Sequence, residues 1–467
     1  MGAVFAKHPT AWLVSAAAVA FVLLGTGSVF AGVAVGSTPE AVSTPKPVQT
    51  TEAPRPVPST PPPAAALRTC SVSSRASVPQ LGSLNASVIN TATGEVLFDR
   101  AADAGVATAS VMKLLTATTA LSVLGPDYRF ATTVYAGSTP GSIVLVGGGD
   151  PTLSQLPAGQ ESVYRGAPKL ADLAAQVKSK WAETNPDQEI TSVVLDATMW
   201  NPADNWDPSW PATERTQGYQ PLITALMVDG DRANPKSQDS PRSTDPVTAA
   251  GKAFLAALGL PSDTPLSTGS AITSNAQLGQ VQSQPISTLI GQMLPNSDNT
   301  LAEMMARVSS KVGGRDGSSG SLTAVYQSAL TGLGLQAGSL VIKDGSGESD
   351  KNQVPASLVA KLMVLINANA GGKNLDIIYG NLPVSGRSGT LAGRFTGANA
   401  VAKGAINAKT GWIATTQALA GIVHAQDGTA LSFAFFAGGK LNVSQARTAL
   451  DTLATGVFLC GNNLSNN

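Results

Sequence analysis

The stretch ATASVMKLLTATTAL, residues 107–121, predicts an amphipathic helix that runs from Ser110 to about Leu124. Lys113 lies near the start of this helix among apolar neighbours, and a buried lysine is costly unless it has a partner or a function. Ser110 precedes it by three residues, a spacing that puts both side chains on one helix face. The stretch therefore predicts a contact between Ser110 and Lys113.

A lysine in contact with a serine can act as the base that makes the hydroxyl a nucleophile. The positive end of the helix would favour a developing anion on Ser110. Lys113 must be neutral for this role, so desolvation or a second cation must lower its pKa from the usual ~10.4. The two histidines are His8, in an N-terminal apolar segment, and His424, near a predicted hairpin turn where a solvated side chain is expected. A Ser-His-Asp triad, a metal site and a cofactor are therefore not expected.

The S-x-x-K spacing alone is weak evidence, since it also occurs from Ser43 to Lys46. Two later motifs strengthen it. Ser297-Asp298-Asn299 follows Pro295-Asn296, which should separate two helices, and Lys409-Thr410-Gly411 begins a predicted strand. A helix N-cap and a surface turn are their alternative interpretations. S-x-x-K, S-D-N and K-T-G in this order form the motif set of penicillin-binding proteins and class A β-lactamases.

Beyond these motifs, the chain resembles the D-alanyl-D-alanine carboxypeptidases/endopeptidases of the low-molecular-mass penicillin-binding proteins, class C branch. The resemblance covers most of residues 84–440. It implies a multi-domain α/β (α+β) fold: a penicillin-binding-protein/β-lactamase-like transpeptidase domain with a mostly antiparallel sheet, helices on both sides and an inserted domain. The blocks that carry it are LVGGGDPTLS (145–154), SDNTLAEMMAR (297–307), KDGSGESDKN (343–352), LPVSGRSGTLAGRF (382–395) and AKTGWIATTQALAGIV (408–423).

Composition divides the chain into four parts. An uncharged run at 11–36 is either a signal peptide or a membrane anchor, and a Pro/Thr-rich linker follows it. Both interpretations place the remaining chain outside the cytoplasm, in the cell envelope. The predicted organisation is a targeting segment at 1–36, a linker at 37–66, a serine peptidase domain at 67–128 and 281–467, and an inserted domain at 129–280.

Cys70 and Cys460 are the two cysteines of the chain and bracket its presumed globular part. In an oxidising compartment they are expected to form a disulfide, with two unrelated buried thiols as the alternative. Net charge is zero, and no basic block stands out, so nucleic acid is not an expected partner.

The resemblance implies a role for each catalytic residue. Ser110 attacks the carbonyl of a terminal D-Ala-D-Ala bond in peptidoglycan stem peptides and forms an acyl-enzyme, and Lys113 is its general base. Ser297 relays a proton toward the leaving amine, and Asn299 holds the substrate amide. β-Lactam antibiotics would act as inhibitors by leaving a slow acyl adduct on the same serine. The sequence does not decide whether peptide cross-links are also cleaved.

The K-T-G motif is implied to bind substrate. Lys409 and Thr410 hold the terminal carboxylate, and Lys409 is also the expected second cation that lowers the pKa of Lys113. Gly411 belongs to the same motif. The backbone N–H of Trp412 is implied to form an oxyanion hole with that of Ser110.

Two other functions compete with a DD-peptidase. Glu348 and Asn352 form E-x-x-x-N, a spacing that resembles the deacylating-glutamate motif of class A β-lactamases. A β-lactamase-like hydrolase is therefore one alternative. A non-catalytic cell-wall-binding scaffold that keeps the fold is the other, although the intact motifs argue against it. No role is assigned to Ser388, which stands where many relatives are expected to have Asp.

Overall fold

The computed structural model describes residues 67–466. The targeting segment (1–36) and the linker (37–66) predicted from the sequence lie outside this range. Two five-stranded sheets organise the described residues. Their strands are β1 (Ser83–Asn90), β2 (Val96–Arg100), β3 (Ala131–Ala136), β4 (Ser142–Gly147), β5 (Ser192–Asp196), β6 (Leu266–Thr268), β7 (Gln277–Gln282), β8 (Ile406–Ile413), β9 (Thr416–His424) and β10 (Ala430–Gly438).

Helices of ten or more residues cover both faces of the first sheet and one face of the second. None of the helices within 67–466 is long and apolar enough to cross a membrane. The helices of ten or more residues are α1 (Met112–Val123), α2 (Leu170–Thr184), α3 (Pro246–Leu258), α4 (Ile286–Asn296), α5 (Asn299–Val312), α6 (Leu322–Thr331), α7 (Ala356–Asn367) and α8 (Val443–Cys460).

The first sheet has the order β8-β9-β10-β1-β2, and every pair in it is antiparallel. Successive side chains of a strand point to opposite faces, and both faces here are buried. Phe433 and Phe435 of β10 pack on the side of α8, whereas Ala434 and Phe436 pack on the side of α1 and α7. This is why β10 is apolar along its whole length except at Ser432. The K-T-G strand, β8, lies at the edge of the sheet.

The second sheet has the order β6-β5-β4-β3-β7 and mixes parallel with antiparallel pairs. Its strands lie between residues 131 and 282 and so extend two residues beyond the range predicted for the inserted domain, 129–280. Helices α2 and α3 complete its own apolar core. Residues 200–227 behave differently. Trp200, Trp210 and Ile223 join the core of the helices around α1. The predicted boundaries of the inserted domain stay a prediction.

Helix α1 differs from the amphipathic helix that the sequence predicted. Every residue from Met112 to Leu121 is buried, because α4, α5 and α6 pack around it. Two of its three threonines donate hydrogen bonds to carbonyl oxygens, such as Thr116 Oγ1 to Gly345 at 2.6 Å, whereas the buried Thr119 hydroxyl has no partner among the described residues. The helix therefore buries all of its faces, with Lys113 near its first turn.

The predicted helix break at Pro295-Asn296 is wrong by two residues. Helix α4 continues through Pro295 to Asn296, since a proline in the last turn removes only one helical hydrogen bond. The chain turns at Ser297, whose φ of 57° places it in the left-handed region, and α5 begins at Asn299.

The two ends of the described chain meet. A disulfide joins Cys70 to Cys460 across 390 residues of sequence. Beside it, Cys70–Ser71 pairs in parallel with Leu464–Ser465.

Candidate active site

Ser110 lies in a single turn of 3-10 helix, Ala109–Val111, directly before α1. The regular α-helix therefore begins two residues later than predicted. Ala109 has a φ of 46°, an uncommon conformation for a residue with a Cβ. Such local strain persists only where surrounding structure imposes it, and it recurs at functional sites. The turn presents Ser110 to a cleft between the edge strand β8 and the helices.

Lys113 is completely buried and has three polar partners. Its Nζ lies 2.9 Å from Ser110 Oγ, 2.7 Å from Asn299 Oδ1 and 2.7 Å from the carbonyl oxygen of Ser346. A neutral lysine keeps two N–H groups, which suit Asn299 and Ser346, and its lone pair can accept the proton of Ser110. The contact predicted between Ser110 and Lys113 is therefore present.

Burial lowers the pKa of Lys113 to about 8, while the carboxylates of Glu348, Asp344 and Glu303 act in the opposite direction. Burial also lowers the pKa of Lys409 well below its ordinary value, and the nearby charge of Lys113 lowers it further. The sequence predicted that desolvation and a second cation, Lys409, would lower the pKa of Lys113. The largest cause at Lys113 is the first of these, desolvation in the helical core.

The S-D-N motif connects α4 to α5. Asp298 is the N-cap of α5, and its Oδ1 accepts a hydrogen bond of 2.8 Å from the backbone N–H of Leu301. Ser297 Oγ accepts a hydrogen bond of 2.8 Å from Lys409 Nζ, and Asn299 reaches Lys113 as described above. The N-cap interpretation is therefore confirmed for Asp298, and its capping orients the two catalytic candidates on either side of it.

The K-T-G residues occupy successive positions of β8. Lys409 is buried, and Thr410 Oγ1 donates to Thr390 Oγ1 at 2.8 Å. Trp412 is 46% exposed, and the guanidinium of Arg447 on α8 lies 5.8 Å from the centre of its ring. Gly411 faces the turn that carries Ser110.

A cleft of about 900 Å³ collects the predicted site residues. Lys113 and Lys409 lie buried beneath it, each in contact with a serine of the cleft. The predicted residues that line it are Ser110, Ser297, Asn299, Thr410, Gly411 and Trp412. The structure thus brings all eight catalytic and substrate-binding candidates together.

Two acidic residues near Lys113, Glu303 and Asp344, were not assigned a role in this site from the sequence. Glu303 Oε1 accepts a hydrogen bond of 2.7 Å from the N–H of Ser346, whose carbonyl oxygen accepts from Lys113. Asp344 holds the same turn through the N–H groups of Gly347 and Ser349. Burial raises the pKa of Glu303 to about 7. Glu303 follows Asn299 by four residues on α5, a helical spacing that could have revealed it.

Glu348 lines the cleft, and its Oε2 lies 3.4 Å from Asn299 Nδ2. Burial raises its pKa to about 8, and the charges of Glu214 and Asp344 raise it as well. Asn352 faces away from this group. Its amide donates to Asp344 Oδ1 at 2.8 Å, so it supports the turn. The E-x-x-x-N spacing therefore does not form a glutamate–asparagine pair in the cleft.

Residues from the inserted region form part of the cleft, which the sequence did not predict. Glu214 and Tyr219 line it from one segment, and Arg232, Gln238 and Arg242 line it from another. They have no spacing or periodicity that distinguishes them from other polar residues of this region. Their number means that the inserted region shapes the space available to a substrate.

Comparison with known proteins shows the family of the chain. A model of the D-Ala-D-Ala carboxypeptidase 3 (S13) family matches residues 69–252 and 232–457. The chain belongs to this family. It is therefore a serine-type D-Ala-D-Ala carboxypeptidase by class, a hydrolase among the penicillin-binding proteins, as the resemblance implied.

Two characterised relatives span most of the chain. It is 34% identical to carboxypeptidase DacB of Mycolicibacterium smegmatis over 388 residues, 82% of each chain. It is 30% identical over 421 residues to the D-alanyl-D-alanine carboxypeptidase of an Actinomadura species, covering 73% of this chain and 75% of that one.

The fold also matches a solved structure. Penicillin binding protein 4 (dacB) of Haemophilus influenzae superposes with a TM-score of 0.65 at 19% identity, over 80% of this chain and 95% of that one. The predicted fold class, a penicillin-binding-protein-like α/β fold, is thereby confirmed.

Proposed function

We propose that this protein hydrolyses the terminal D-Ala-D-Ala bond of peptidoglycan stem peptides through an acyl-enzyme on Ser110. Membership of the D-Ala-D-Ala carboxypeptidase family supports the reaction class. The observation that carries the assignment of the nucleophile is the 2.9 Å contact between Ser110 Oγ and the buried Nζ of Lys113.

In the acylation step, neutral Lys113 accepts the proton of Ser110 as Oγ attacks the penultimate D-Ala carbonyl carbon. The carbonyl oxygen becomes an oxyanion, which the backbone N–H groups of Ser110 and Trp412 would stabilise. Loss of one such donor typically costs ~3–4 kcal/mol of transition-state stabilisation. The C–N bond then breaks, and Ser297 delivers a proton to the leaving amine. Protonated Lys409, 2.8 Å from Ser297, would replace the proton that Ser297 gives up. The proton that Lys113 accepted from Ser110 then passes through solvent in the cleft to Lys409, so that Lys113 is neutral again before deacylation.

Deacylation repeats these steps with water as the nucleophile. Lys113 takes a proton from the water, the ester bond to Ser110 breaks, and the serine oxygen recovers its proton. Thr410 and Lys409 would hold the carboxylate of the terminal D-Ala, and Asn299 the substrate amide. A carboxylate beside Lys409 would favour its charged form and so offset the effect of burial.

β-Lactams are proposed inhibitors, because their ring amide would acylate the same serine and leave no amine to depart. Cross-linked peptides are proposed as additional substrates, since the cleft is open and about 900 Å³ in volume. Both substrates exist outside the cytoplasm. We therefore propose an extracytoplasmic location, reached through the apolar segment at 11–36, which is either cleaved or kept as an anchor. The disulfide fits that compartment.

The test is the intact mass of residues 67–467 during incubation with benzylpenicillin, beside a Ser110→Ala variant. We expect a persistent adduct on the parent only, followed by release of D-Ala from a stem-peptide substrate in a second assay. Hydrolysed drug without an adduct would favour the β-lactamase alternative, for which Glu348 in the cleft is the supporting observation. Neither adduct nor hydrolysis, together with no D-Ala release, would favour the scaffold.

A further inference from the structure

Asp298, the central residue of the S-D-N motif, uses its two carboxylate oxygens for different tasks. Oδ1 caps helix α5. Oδ2 accepts hydrogen bonds of 2.8 Å from Arg232 and of 2.8 Å from Gln238, both from the inserted region. The Asp298 and Arg232 side chains are 2% and 1% exposed, so this ion pair is screened very little by water.

Arg232 is itself held in one orientation. Its Nη1 donates to the hydroxyl of Tyr164 at 2.7 Å, and its guanidinium lies 4.7 Å from the centre of the same ring. The turn that precedes Arg232 has positive φ at Asp229 (50°) and Asp231 (59°). The Nε of Arg232 donates a hydrogen bond of 3.2 Å to the carbonyl oxygen of Gln238, which joins Arg232 to the next loop. A guanidinium fixed at three of its nitrogens defines the position of the carboxylate that it binds.

The neighbours of Asp298 are the two catalytic candidates of this motif. Ser297 lies before it with a φ of 57°, and Asn299 lies after it as the first residue of α5. A shift of the Asp298 carboxylate would therefore turn the Ser297 hydroxyl away from Lys409 and the Asn299 amide away from Lys113. Misplacement of reacting groups by about 1 Å can slow a reaction on the order of 100-fold.

We propose that Arg232 is a positioning residue of the reaction: by holding Asp298 Oδ2 it fixes Ser297 and Asn299 against the two lysines, so that the inserted region is a working part of the active site. This inference rests on the proposed function and deepens it. It assigns the inserted region a role in the rate of acylation, beyond adding a wall to the cleft.

The chain offers a matched control. Arg307, near the other end of α5, is also buried and also pairs with an aspartate of the inserted region, Asp204, at 2.5 Å. It lies nine residues beyond Asp298, about 13 Å along the helix axis. Both ion pairs attach the inserted region to α5, yet only the one made by Arg232 touches the S-D-N motif.

The experiment compares Arg232→Gln, Arg232→Lys and Arg307→Gln with the parent. For each protein, the thermal transition is recorded first, and acylation by benzylpenicillin is measured well below the lowest transition. The concentration dependence separates the first-order acylation constant from the concentration that gives half of the maximal rate. Arg232→Lys keeps the positive charge and a single donor nitrogen. If Arg232→Gln does not fold, the acylation constant of Arg232→Lys tests the inference instead.

We expect the acylation constant to fall on the order of 10- to 100-fold in Arg232→Gln, less in Arg232→Lys, and less than about twofold in Arg307→Gln. If acylation falls equally in the Arg232 and Arg307 variants, or in none of them, the inference is overturned while the proposed function stands. A parent that shows neither acylation nor D-Ala release overturns the proposed function, and this inference with it.

Discussion

Gly411 lies so close to Thr108 that a Cβ atom at position 411 would be 2.7 Å from the Thr108 carbonyl oxygen. The same atom would be 3.0 Å from the Cβ of Ala109, in the turn that carries Ser110. The K-T-G motif thus needs its glycine because strand β8 and the turn that carries Ser110 are in direct contact.

Replacement of Gly411 by alanine should therefore slow acylation while the protein stays folded. The added methyl group forces β8 away from the Ser110 turn, which separates Trp412 and Lys409 from the nucleophile. We expect the acylation constant to fall on the order of 10- to 100-fold, measured with benzylpenicillin by intact mass. Gly380→Ala, which adds a methyl group where no other atom lies within 4 Å, is the control. Unchanged acylation in Gly411→Ala would show that the contact does not set the site.

The pH dependence of acylation should report on Lys113. Since burial lowers its pKa to about 8 and the neutral form is the base, the acylation rate should rise as pH increases through about 8. The Glu348 carboxylate raises that pKa, so Glu348→Gln should move the rise to lower pH. Rates of acylation between pH 6 and 10 measure both profiles.

Asp350→Asn is the matched control for this shift. Asp350 also lines the cleft but is exposed, and its carboxylate lies 3.4 Å from Lys351 Nζ. Its removal should leave the profile in place. A shift to higher pH in Glu348→Gln would contradict the assignment of Lys113 as the base.

Glu303 should make stability depend on pH. Burial raises its pKa from 4.5 to about 7, so the folded state holds a proton that the unfolded state releases. This contribution to stability is complete below about 4.5 and is lost as pH rises through about 7. Glu303→Gln, which cannot titrate, should flatten the free energy of unfolding across that window.

Urea unfolding at several pH values measures this effect, and Glu183→Gln, at an exposed site on α2, should keep the slope of the parent. The idea fails if Glu303→Gln retains the parental slope between pH 4.5 and 7.

The disulfide should contribute several kcal/mol. It closes a loop of 390 residues, for which the chain-entropy model gives ~6 kcal/mol, whereas natural disulfides typically contribute 2–5. Cys70→Ser and Cys460→Ser should lower the free energy of unfolding by similar amounts. Reductant should destabilise the parent and leave a Cys70→Ser/Cys460→Ser double variant unaffected. Equal stability of the parent with and without reductant would count against a formed bridge.

The parts of the site that could be predicted are those whose residues lie close together in the sequence. Ser110 and Lys113 are one helical step apart, and the other two motifs are short and contiguous. Their convergence could be inferred only from the resemblance, because nothing in the spacing of Lys113 and Lys409 brings them together.

The supporting residues were not predictable for the same physical reason. Arg232 is 66 residues from Asp298, and Tyr164 is 134 residues from it. Single arginines and tyrosines are frequent on surfaces, and only the fold shows that these are buried on a carboxylate. Likewise, the sequence does not show whether Pro295 ends helix α4 or lies within its last turn. The residues that pack against this part of the helix decide between the two.

The bridge between Cys70 and Cys460 has a mechanical consequence. It covalently joins the first short strand, Cys70–Ser71, to the end of α8, so a pull applied across the two ends passes through the sulfur atoms. Both sheets and the cleft lie within the closed loop and carry none of that tension. At the proposed extracytoplasmic location, the site geometry would therefore be kept when the two ends of the chain are pulled apart.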